Sequence, residues 1–265
     1  MRKAVITGST RGIGFALARE LLSRGHSVVV SGRSRTAVDD AVARLRPRAL
    51  TAATVHGFAV DVTDAEQVER MWSAAVDALG GVDLWINNAG VANTTRPIVD
   101  TAPEDVRTMV TTNMLGTVYG SQVAVRGMLT AGGGQVFNVL GGGSDGRIRP
   151  GMGVYAATKR GLDSFTRALA KEVTGTGVRI GQIRPGILIT EGWLREAAAA
   201  PEQVARQRRW LNILCDHVDD VAPYLVERML TSTRNGDAIA WLTTGRMTRK
   251  VLIPGKRDVL ARYGL

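Results

Sequence analysis

Short apolar runs alternate with longer stretches along most of the chain. The runs have the length of buried strands, and the stretches between them repeat apolar residues every three or four positions, as amphipathic helices do. The predicted strands are RKAVIT, HSVVVSG, TVHGFAVDV, VDLWINNAG, GQVFNVLG, VRIGQIRPG and DAIAWLT. Strands separated by helices form βαβ units, so the pattern predicts an α/β fold, a doubly wound parallel sheet with helices on both faces.

The helices between these strands have recognisable ends. Asp64 is a predicted N-cap of DAEQVERMWSAAVDALGG, and Pro47 ends AVDDAVARLRP. The other predicted helices are FALARELLSRG, PEDVRTMVTTNM, GTVYGSQVAVRGMLTAG, GMGVYAATKRGLDSFTRALAKEVTG and VDDVAPYLVERMLTS. No internal repeat or linker interrupts the series, so residues 1–265 are predicted to form a single domain.

The regular alternation loosens after Pro185, where residues 190–217 form an arginine-rich helical insert. An insert after the carboxyl end of a strand lies beside the ligand crevice of an open sheet. We therefore expect a substrate lid here. Its side chains would suit a large, flat or apolar molecule that bears carboxylates or phosphates, although an amphipathic helix with a solvated basic face explains them equally well: Trp193, Arg195, Arg206, Arg208, Arg209 and Trp210.

Composition narrows the class of protein. The 265 residues are 45% hydrophobic, enough to fill one core, and no run approaches the ~18 apolar residues of a membrane span. The first residues lead directly into a strand, so we expect no signal peptide. Cys215 is the only cysteine, which excludes an intrachain disulfide and fits a reducing, cytoplasmic location. The three histidines are scattered, so we expect no metal site.

The net charge of +10 raises nucleic acid, a membrane surface or an acidic ligand as partners. A proteome rich in arginine is the alternative explanation. No interleaved aromatic and basic motif supports specific nucleic-acid binding. The basic residues concentrate in Gly245–Leu265, where we expect a solvated tail.

A glycine-rich turn, TGSTRGIG at Thr7–Gly14, follows the first strand and opens the first helix. The glycines permit close backbone approach to a pyrophosphate, and the start of the helix supplies N–H donors and a positive dipole end. The residues of this turn that we expect to bind a dinucleotide are Gly8, Ser9, Arg11, Gly12, Ile13 and Gly14.

The second strand indicates which dinucleotide binds. An NAD site usually has an acid at the end of this strand, but VVVSGRS ends with Arg33 and Ser34 instead. Two guanidiniums, those of Arg11 and Arg33, suit a 2′-phosphate, so NADP(H) is the predicted cofactor. Further along the edge, Asp61–Val62 and Asn88–Ala89–Gly90 are expected to contact the adenine and the ribose.

Tyr155 and Lys159 are one helical turn apart in YAATK and share a face of the predicted helix. A phenol titrates near ~10, and an adjacent ammonium favours its ionised form. The pair is therefore a candidate proton donor, Tyr155, with its tuning cation, Lys159. The alternative is an ordinary pair on a helix surface.

Taken together, these motifs resemble the short-chain dehydrogenase/reductase family over nearly the whole chain. The matching elements, in family order, are Thr7–Gly14, Asp61–Val62, Asn87–Gly90, Asn113, Tyr155–Lys159 and Pro185–Thr190. The resemblance implies a Rossmann-type domain with about seven strands, assembled as a homo-dimer or homo-tetramer. It also implies that Asn113 carries a proton relay through water. Thr190 would touch the cofactor's carboxamide, and Pro185, Gly186 and Leu188 would bind the cofactor beside it.

The segment FNVLGGGSDGR and the later WLNILCDHVDDVAPYLV are similar to chlorophyll(ide) b reductases, which reduce a formyl group on a tetrapyrrole. Most of the family has a serine 13 residues before the tyrosine, but here that position is Gly142. Alignment on the preceding strand points to Gly141 instead. The displaced Ser144 is our candidate donor to the substrate oxygen, and the backbone N–H groups of Gly141 to Gly143 are the alternative.

The sequence thus favours an NADPH-dependent oxidoreductase that reduces an aldehyde or ketone to an alcohol. Its expected partner is a small-molecule carbonyl or alcohol substrate, for which a large, acidic molecule is one candidate. A nucleotide-binding sensor or scaffold that has lost catalysis is the second reading, supported by the missing serine. A basic protein of nucleic-acid or membrane surfaces is the third.

Overall fold

The computed structural model describes residues 1–50, 52–94, 96–147, 149–199, 201–252 and 258–263. These residues form a seven-stranded sheet in the order β3-β2-β1-β4-β5-β6-β9, in which every pairing is parallel. The strands are β1 (Lys3–Ile6), β2 (Ser27–Gly32), β3 (Val55–Ala59), β4 (Leu84–Asn87), β5 (Gly134–Val139), β6 (Val178–Arg184) and β9 (Asp237–Ala240). The predicted fold class is confirmed.

The described residues form ten α-helices: α1 (Gly12–Ser23), α2 (Arg35–Leu45), α3 (Ala65–Leu79), α4 (Pro103–Val110), α5 (Gly116–Thr130), α6 (Gly153–Glu172), α7 (Glu191–Ala199), α8 (Pro201–Leu214), α9 (Val218–Thr231) and α10 (Thr244–Leu252). The carboxylate of Asp64 accepts from the N–H groups of Glu66 and Gln67, so the predicted N-cap of α3 is confirmed. Pro47 lies just beyond α2, in a short 3₁₀ turn, as expected for a residue that cannot continue a helix.

Two apolar layers cover the sheet. On one face α1 and α9 bury residues such as Leu17, Leu21 and Leu225 against β1 and β2. On the other face α3 and α5 pack around Trp85 and Met128. Helices on both faces leave the carboxyl edge of the sheet accessible to a ligand. Among the described helices, none combines the length and the apolarity that a membrane crossing requires.

The insert is helical, as predicted, and comprises α7 and α8, with residue 200 outside the described residues. Its end was not predicted as a strand. Residues Cys215–His217 (β8) pair in parallel with Ile187–Ile189 (β7) in a separate two-stranded sheet. Three-residue strands are too short for a period-2 pattern to reveal them.

The prediction of a solvated basic tail is wrong at Lys250, Val259 and Leu260, whereas residues 244–252 as a whole include no buried residue. Residues 244–252 form α10, and Val259 and Leu260 are 3% and 0% exposed in a third apolar cluster with Ile189 and Cys215. The surrounding basic residues concealed these apolar positions in the sequence. Residues 253–257 and 264–265 of the predicted tail lie outside the described residues.

Candidate active site

The candidate site lies at the carboxyl edge of the sheet, where the strand order reverses at β1 and β4. The glycine-rich turn follows β1, the Asn88–Gly90 segment follows β4, the glycine loop follows β5, and Pro185–Thr190 follows β6. A crevice forms at such a reversal because the connections on its two sides run in opposite directions. The fold therefore brings the predicted motifs to one edge.

The glycine-rich turn packs tightly against the segment after β4. Gly8 and Gly12 have φ values of 60° and 59°, in the left-handed region that glycine tolerates. A Cβ on Gly8 would lie 2.6 Å from Ala89 Cα. The side-chain amide of Asn88 donates to the carbonyls of Thr7 and Gly8, at 2.9 and 2.8 Å. Asn88 and Ala89 therefore hold the turn in place.

The start of α1 fits a dinucleotide's pyrophosphate. Arg11 is the N-cap residue but its side chain makes no capping hydrogen bond, and the first turn contains no acidic residue. The first N–H groups and the positive dipole end are thus not neutralised by a side chain of their own helix. Gly14 lets the turn close on itself, since a Cβ there would lie 2.8 Å from the Gly8 carbonyl oxygen, and a Cβ on Gly12 would lie 3.9 Å from the Glu191 carboxylate. The N–H groups at the start of α1 suit the phosphates.

Two other predicted residues of the turn have structural roles. Ser9 is fully buried, and its hydroxyl donates to the Ile6 carbonyl at 2.7 Å and accepts from the Ser31 N–H at 3.0 Å. It therefore joins the ends of β1 and β2. Ile13 is partly buried and packs against the first apolar layer.

The edge of β2 is positively charged. Arg11 and Arg33 are exposed, and neither guanidinium forms an ion pair with any described residue. The Ser34 hydroxyl accepts from Ala37 N–H and caps α2. At the end of β3, Asp61 accepts from the N–H and hydroxyl of Thr63, at 2.9 and 2.8 Å.

Val62, the next residue, is 7% exposed and belongs to the second apolar layer. A Cβ on Gly116 at the start of α5 would lie 2.7 Å from its Cγ2. Its side chain therefore packs under α5, which fixes the segment that carries Asp61.

Tyr155 and Lys159 lie on the same helix, α6, with the Lys159 ammonium 5.8 Å from the centre of the Tyr155 ring. Lys159 is 5% exposed, and Nζ donates to the Val139 carbonyl at 3.1 Å. Burial lowers the pKa of Lys159 to about 8. A Cβ on Gly90 would lie 3.6 Å from this ammonium. The cation is therefore held between β5 and the segment after β4.

Asn113 lies in a π turn, Thr111–Leu115, between α4 and α5. Its side chain accepts from Val91 N–H at 2.8 Å and donates to the Val91 carbonyl at 2.9 Å and to Thr158 Oγ1 at 3.1 Å. Thr158 Oγ1 donates in turn to the Tyr155 carbonyl at 2.7 Å. Isolated π turns often occur at functional sites. Asn113 is therefore connected to the helix that carries Tyr155.

The structure places Gly141 beside the Tyr155 phenol. A Cβ on Gly141 would overlap the Tyr155 hydroxyl oxygen. Ser144 is 1% exposed, and its carbonyl accepts from Arg160 at 3.0 Å. Gly142 is next to Met152, whose Cε would lie 2.8 Å from its Cβ. The backbone of the glycine loop thus lies beside the Tyr155 hydroxyl.

The segment after β6 contacts the glycine-rich turn, since a Cβ on Gly12 would lie 3.6 Å from Thr190 Cγ2. Thr190 Oγ1 also accepts from Trp193 N–H at the start of α7. Gly186, after Pro185, has a φ of 85°. Leu188 packs against the first apolar layer.

Three of the predicted lid side chains pack against or pair with other residues of the chain, and the other three are exposed. Trp193 packs into the third apolar cluster. Arg206 pairs with Glu202 at 3.6 Å and Arg208 with Asp258 at 3.1 Å. Trp210 is 55% exposed. Arg195 and Arg209 are also exposed.

Thr158 and the Val139 carbonyl are contacts that the sequence analysis did not assign. Thr158 is the threonine of YAATK, so a motif did contain it. The carbonyl carries no signal in the sequence, because every residue has one.

A family model described as short chain dehydrogenase matches residues 2–199. A probable chloroplastic chlorophyll(ide) b reductase of Arabidopsis thaliana is 36% identical over 261 residues, which cover 93% of this chain and 51% of that protein. A second chloroplastic chlorophyll(ide) b reductase of Arabidopsis thaliana is 35% identical, with 88% and 66% covered. The chain thus spans about half of the first relative and 66% of the second.

Among solved structures, a single-residue variant of actinorhodin polyketide ketoreductase with NADPH is similar, with a TM-score of 0.80 and 26% identity. The match covers 91% of this chain and 95% of that one.

Proposed function

Because the chain belongs to the short-chain dehydrogenase family, we propose that it is an NADPH-dependent oxidoreductase that reduces an aldehyde or ketone by hydride transfer, with Tyr155 as the proton donor. It lies in the part of the family that resembles chlorophyll(ide) b reductases. The observation that carries the proposal is the position of Tyr155. Its hydroxyl is beside the glycine loop, its helix carries the buried Lys159 ammonium, and both lie at the edge that holds the glycine-rich turn.

The cofactor would be held by the residues that line this edge. The glycine-rich turn and the start of α1 suit the pyrophosphate, and Asp61 and the Asn88–Gly90 segment suit the adenosine and ribose. The exposed Arg11 and Arg33 guanidiniums, which lack an acidic partner among the described residues, favour a 2′-phosphate. The similarity to a ketoreductase with NADPH supports the same choice. When bound, the dinucleotide supplies the hydride.

The chain's own residues then handle the proton. Tyr155 Oη donates it to the oxygen that develops negative charge. The Lys159 ammonium favours the phenolate that remains, because an opposite charge stabilises the ionised form. The buried Asn113 and Thr158 fix the turn of α6 from which Tyr155 extends.

The substrate oxygen needs a second hydrogen-bond donor. The position of Gly141 beside the Tyr155 hydroxyl favours the backbone N–H groups of the glycine loop. The hydroxyl of Ser144, a residue that is 1% exposed, is the alternative donor.

The proposal is tested by NADPH oxidation with a panel of aldehydes and ketones that includes large substrates with carboxylates. We expect substrate-dependent consumption of NADPH that exceeds consumption of NADH. Tight binding of NADPH without turnover on any substrate would instead support a sensor or scaffold.

A further inference from the structure

The segment after residue 199 lies outside the residues that the family model matches, yet it supports the cofactor side of the site. Strand β7 contains Leu188 and ends just before Thr190. Its partner in the two-stranded sheet is β8, in which Asp216 is in register with Leu188. Whatever fixes Asp216 therefore also fixes the strand that leads to Thr190.

Asp216 is a buried acid, 2% exposed. Its Oδ2 accepts from the ammonium of Lys250 on α10 and, at 2.7 Å, from the indole N–H of Trp241. Trp241 follows β9, and its ring lies against Gly186, where a Cβ would be 3.4 Å from Cδ1. Two elements from the end of the chain thus converge on the carboxylate beside β7.

Helix α10 also contacts the glycine loop, which lies beside Tyr155. Arg147, in the loop that begins at Gly141, approaches the sulfur of Met247 with a guanidinium nitrogen at 3.9 Å. Met247 and Lys250 are three residues apart and share a face of the helix. One helix therefore contacts both the loop beside Tyr155 and the strand pair that leads to Thr190.

We propose that Lys250 is a positioning residue for the dinucleotide: through the buried carboxylate of Asp216, its ammonium fixes β8 and β7 and so sets the position of Leu188 and Thr190. This inference rests on the proposed function, because it assumes that Pro185–Thr190 contacts the cofactor. It assigns a role in cofactor affinity to a helix beyond the matched part of the chain.

The burial of the pair is the physical reason for a large effect. The side chains of Lys250 and Asp216 are 13% and 3% exposed. Replacing Lys250 with an uncharged residue removes a charge-assisted hydrogen bond from a buried carboxylate, which is destabilising, so the local structure must move to restore the lost hydrogen bond. The strands that would move are β8 and, through its pairing, β7.

The test compares Lys250→Met with Arg249→Met. Arg249 is on the same helix, is exposed, and has no ion pair among the described residues, so its replacement removes the same charge without affecting Asp216. NADPH affinity is measured by fluorescence titration, together with kcat and the KM for NADPH. We expect Lys250→Met to weaken NADPH binding by about tenfold or more, with kcat at saturating NADPH within about threefold.

A purely structural role would lower kcat and the amount of folded protein together, whereas a positioning role changes affinity and spares kcat. Lys250→Arg keeps the charge and should restore affinity to within about threefold of the unaltered protein. Equal NADPH affinity for Lys250→Met, Arg249→Met and the unaltered protein would overturn the inference. If Lys250→Met does not fold, Asp216→Asn replaces it in the comparison. Weaker NADPH binding with kcat spared in a folded Asp216→Asn would support the inference, and near-normal affinity would overturn it. Absence of NADPH binding by the unaltered protein would overturn the proposed function itself, and the inference with it.

Discussion

Tyr155 is the residue on which the proposed chemistry depends most directly. Tyr155→Phe keeps the ring and removes only the hydroxyl, so we expect NADPH binding to persist. Turnover should fall by ~10²-fold or more, the range for a removed general acid. Steady-state kinetics and a fluorescence titration with NADPH measure the two effects. Turnover within a few-fold of the unaltered protein would exclude Tyr155 from proton transfer.

Two variants of the glycine loop test, respectively, its contact with Tyr155 and the role of Ser144 as the alternative oxygen donor. A methyl group at Gly141 would displace the Tyr155 hydroxyl, so Gly141→Ala should lower kcat/KM by ~10²-fold. Ser144→Ala is the matched variant in the same loop and should lower it by less than about threefold, because the backbone N–H groups of the loop remain in place. The reverse result, a loss of ~30-fold or more in a folded Ser144→Ala variant, would assign the oxygen to the serine.

Through Lys159, we expect the proposed activity to depend on pH. Burial lowers the pKa of its ammonium from 10.5 to about 8. Because the positive charge favours the Tyr155 phenolate, we expect kcat/KM for reduction to fall as pH rises through about 8. Lys159→Arg stays charged over this range, so the fall near pH 8 should disappear in a slower but active enzyme. An unchanged fall in Lys159→Arg would assign it to another group.

The burial of Lys159 also makes the free energy of unfolding depend on pH, but in the opposite direction to kcat/KM. The cost of the buried charge is fully present below pH about 8 and is relieved between there and 10.5, where the unfolded chain still binds the proton. The contribution of Lys159 to the free energy of unfolding therefore rises with pH in the window in which activity falls.

Single-residue motifs were predictable where side chains carry the chemistry. The amino-acid sequence itself shows the spacing of Tyr155 and Lys159 and the glycines of the turn. The proximity of Gly141 to Tyr155 is not, because the path of a glycine loop depends on tertiary contacts such as that of Gly143 with Ala156. Backbone groups such as the Val139 carbonyl are equally invisible.

At the scale of elements, the sequence predicted the long helices and strands. It did not predict the π turn between α4 and α5 or the short strands β7 and β8. PEDVRTMVTTNM and GTVYGSQVAVRGMLTAG were expected as two stretches, and the structure connects α4 to α5 through the π turn. The turn breaks the 3.6-residue period, which is why the pattern changed there. The short pair β7 and β8 left no pattern at all.

Asn113 holds this π turn to two other elements, and its removal should disturb all three. Asn113→Ala deletes the partners of both backbone groups of Val91 and of Thr158. Unsatisfied buried groups cost about 1–3 kcal/mol, so we expect the free energy of unfolding to fall by about 2–4 kcal/mol, measured by denaturant titration. Turnover should fall as well, because Thr158 contacts the turn of α6 that carries Tyr155.

Asn93→Ala is the matched control for this variant. Asn93 makes one long hydrogen bond of 3.4 Å to Asp105 and is partly exposed. We expect its loss to change stability by no more than about 0.5 kcal/mol. Equal effects of the two substitutions would mean that the π turn does not depend on the Asn113 side chain.

At the scale of the whole molecule, the candidate site exists only when the sheet has formed. Its residues come from segments after β1, β2, β3, β4, β5 and β6, which are far apart in the chain and meet at one edge. The order of the strands could not be read from the sequence, but the α/β alternation restricted it to a few topologies. The end of the insert and the C-terminal segment were predicted least well, because their apolar residues are few and separated.

This dependence on the whole sheet predicts how the cofactor affects thermal stability. A ligand that binds only the folded chain stabilises it by about 2.7 kcal/mol at 100 times its dissociation constant. For a chain of this size each kcal/mol raises the unfolding temperature by roughly 2–4 °C, so we expect NADPH to raise it by about 5–10 °C. The same concentration of NADH should give a smaller rise, because each charge-assisted contact with the 2′-phosphate contributes about 1.5–3 kcal/mol. Arg33→Asp, which places an acid after β2, should reverse the order of the two cofactors. Equal rises with NADPH and NADH in the unaltered protein would show that Arg11 and Arg33 do not select the phosphate.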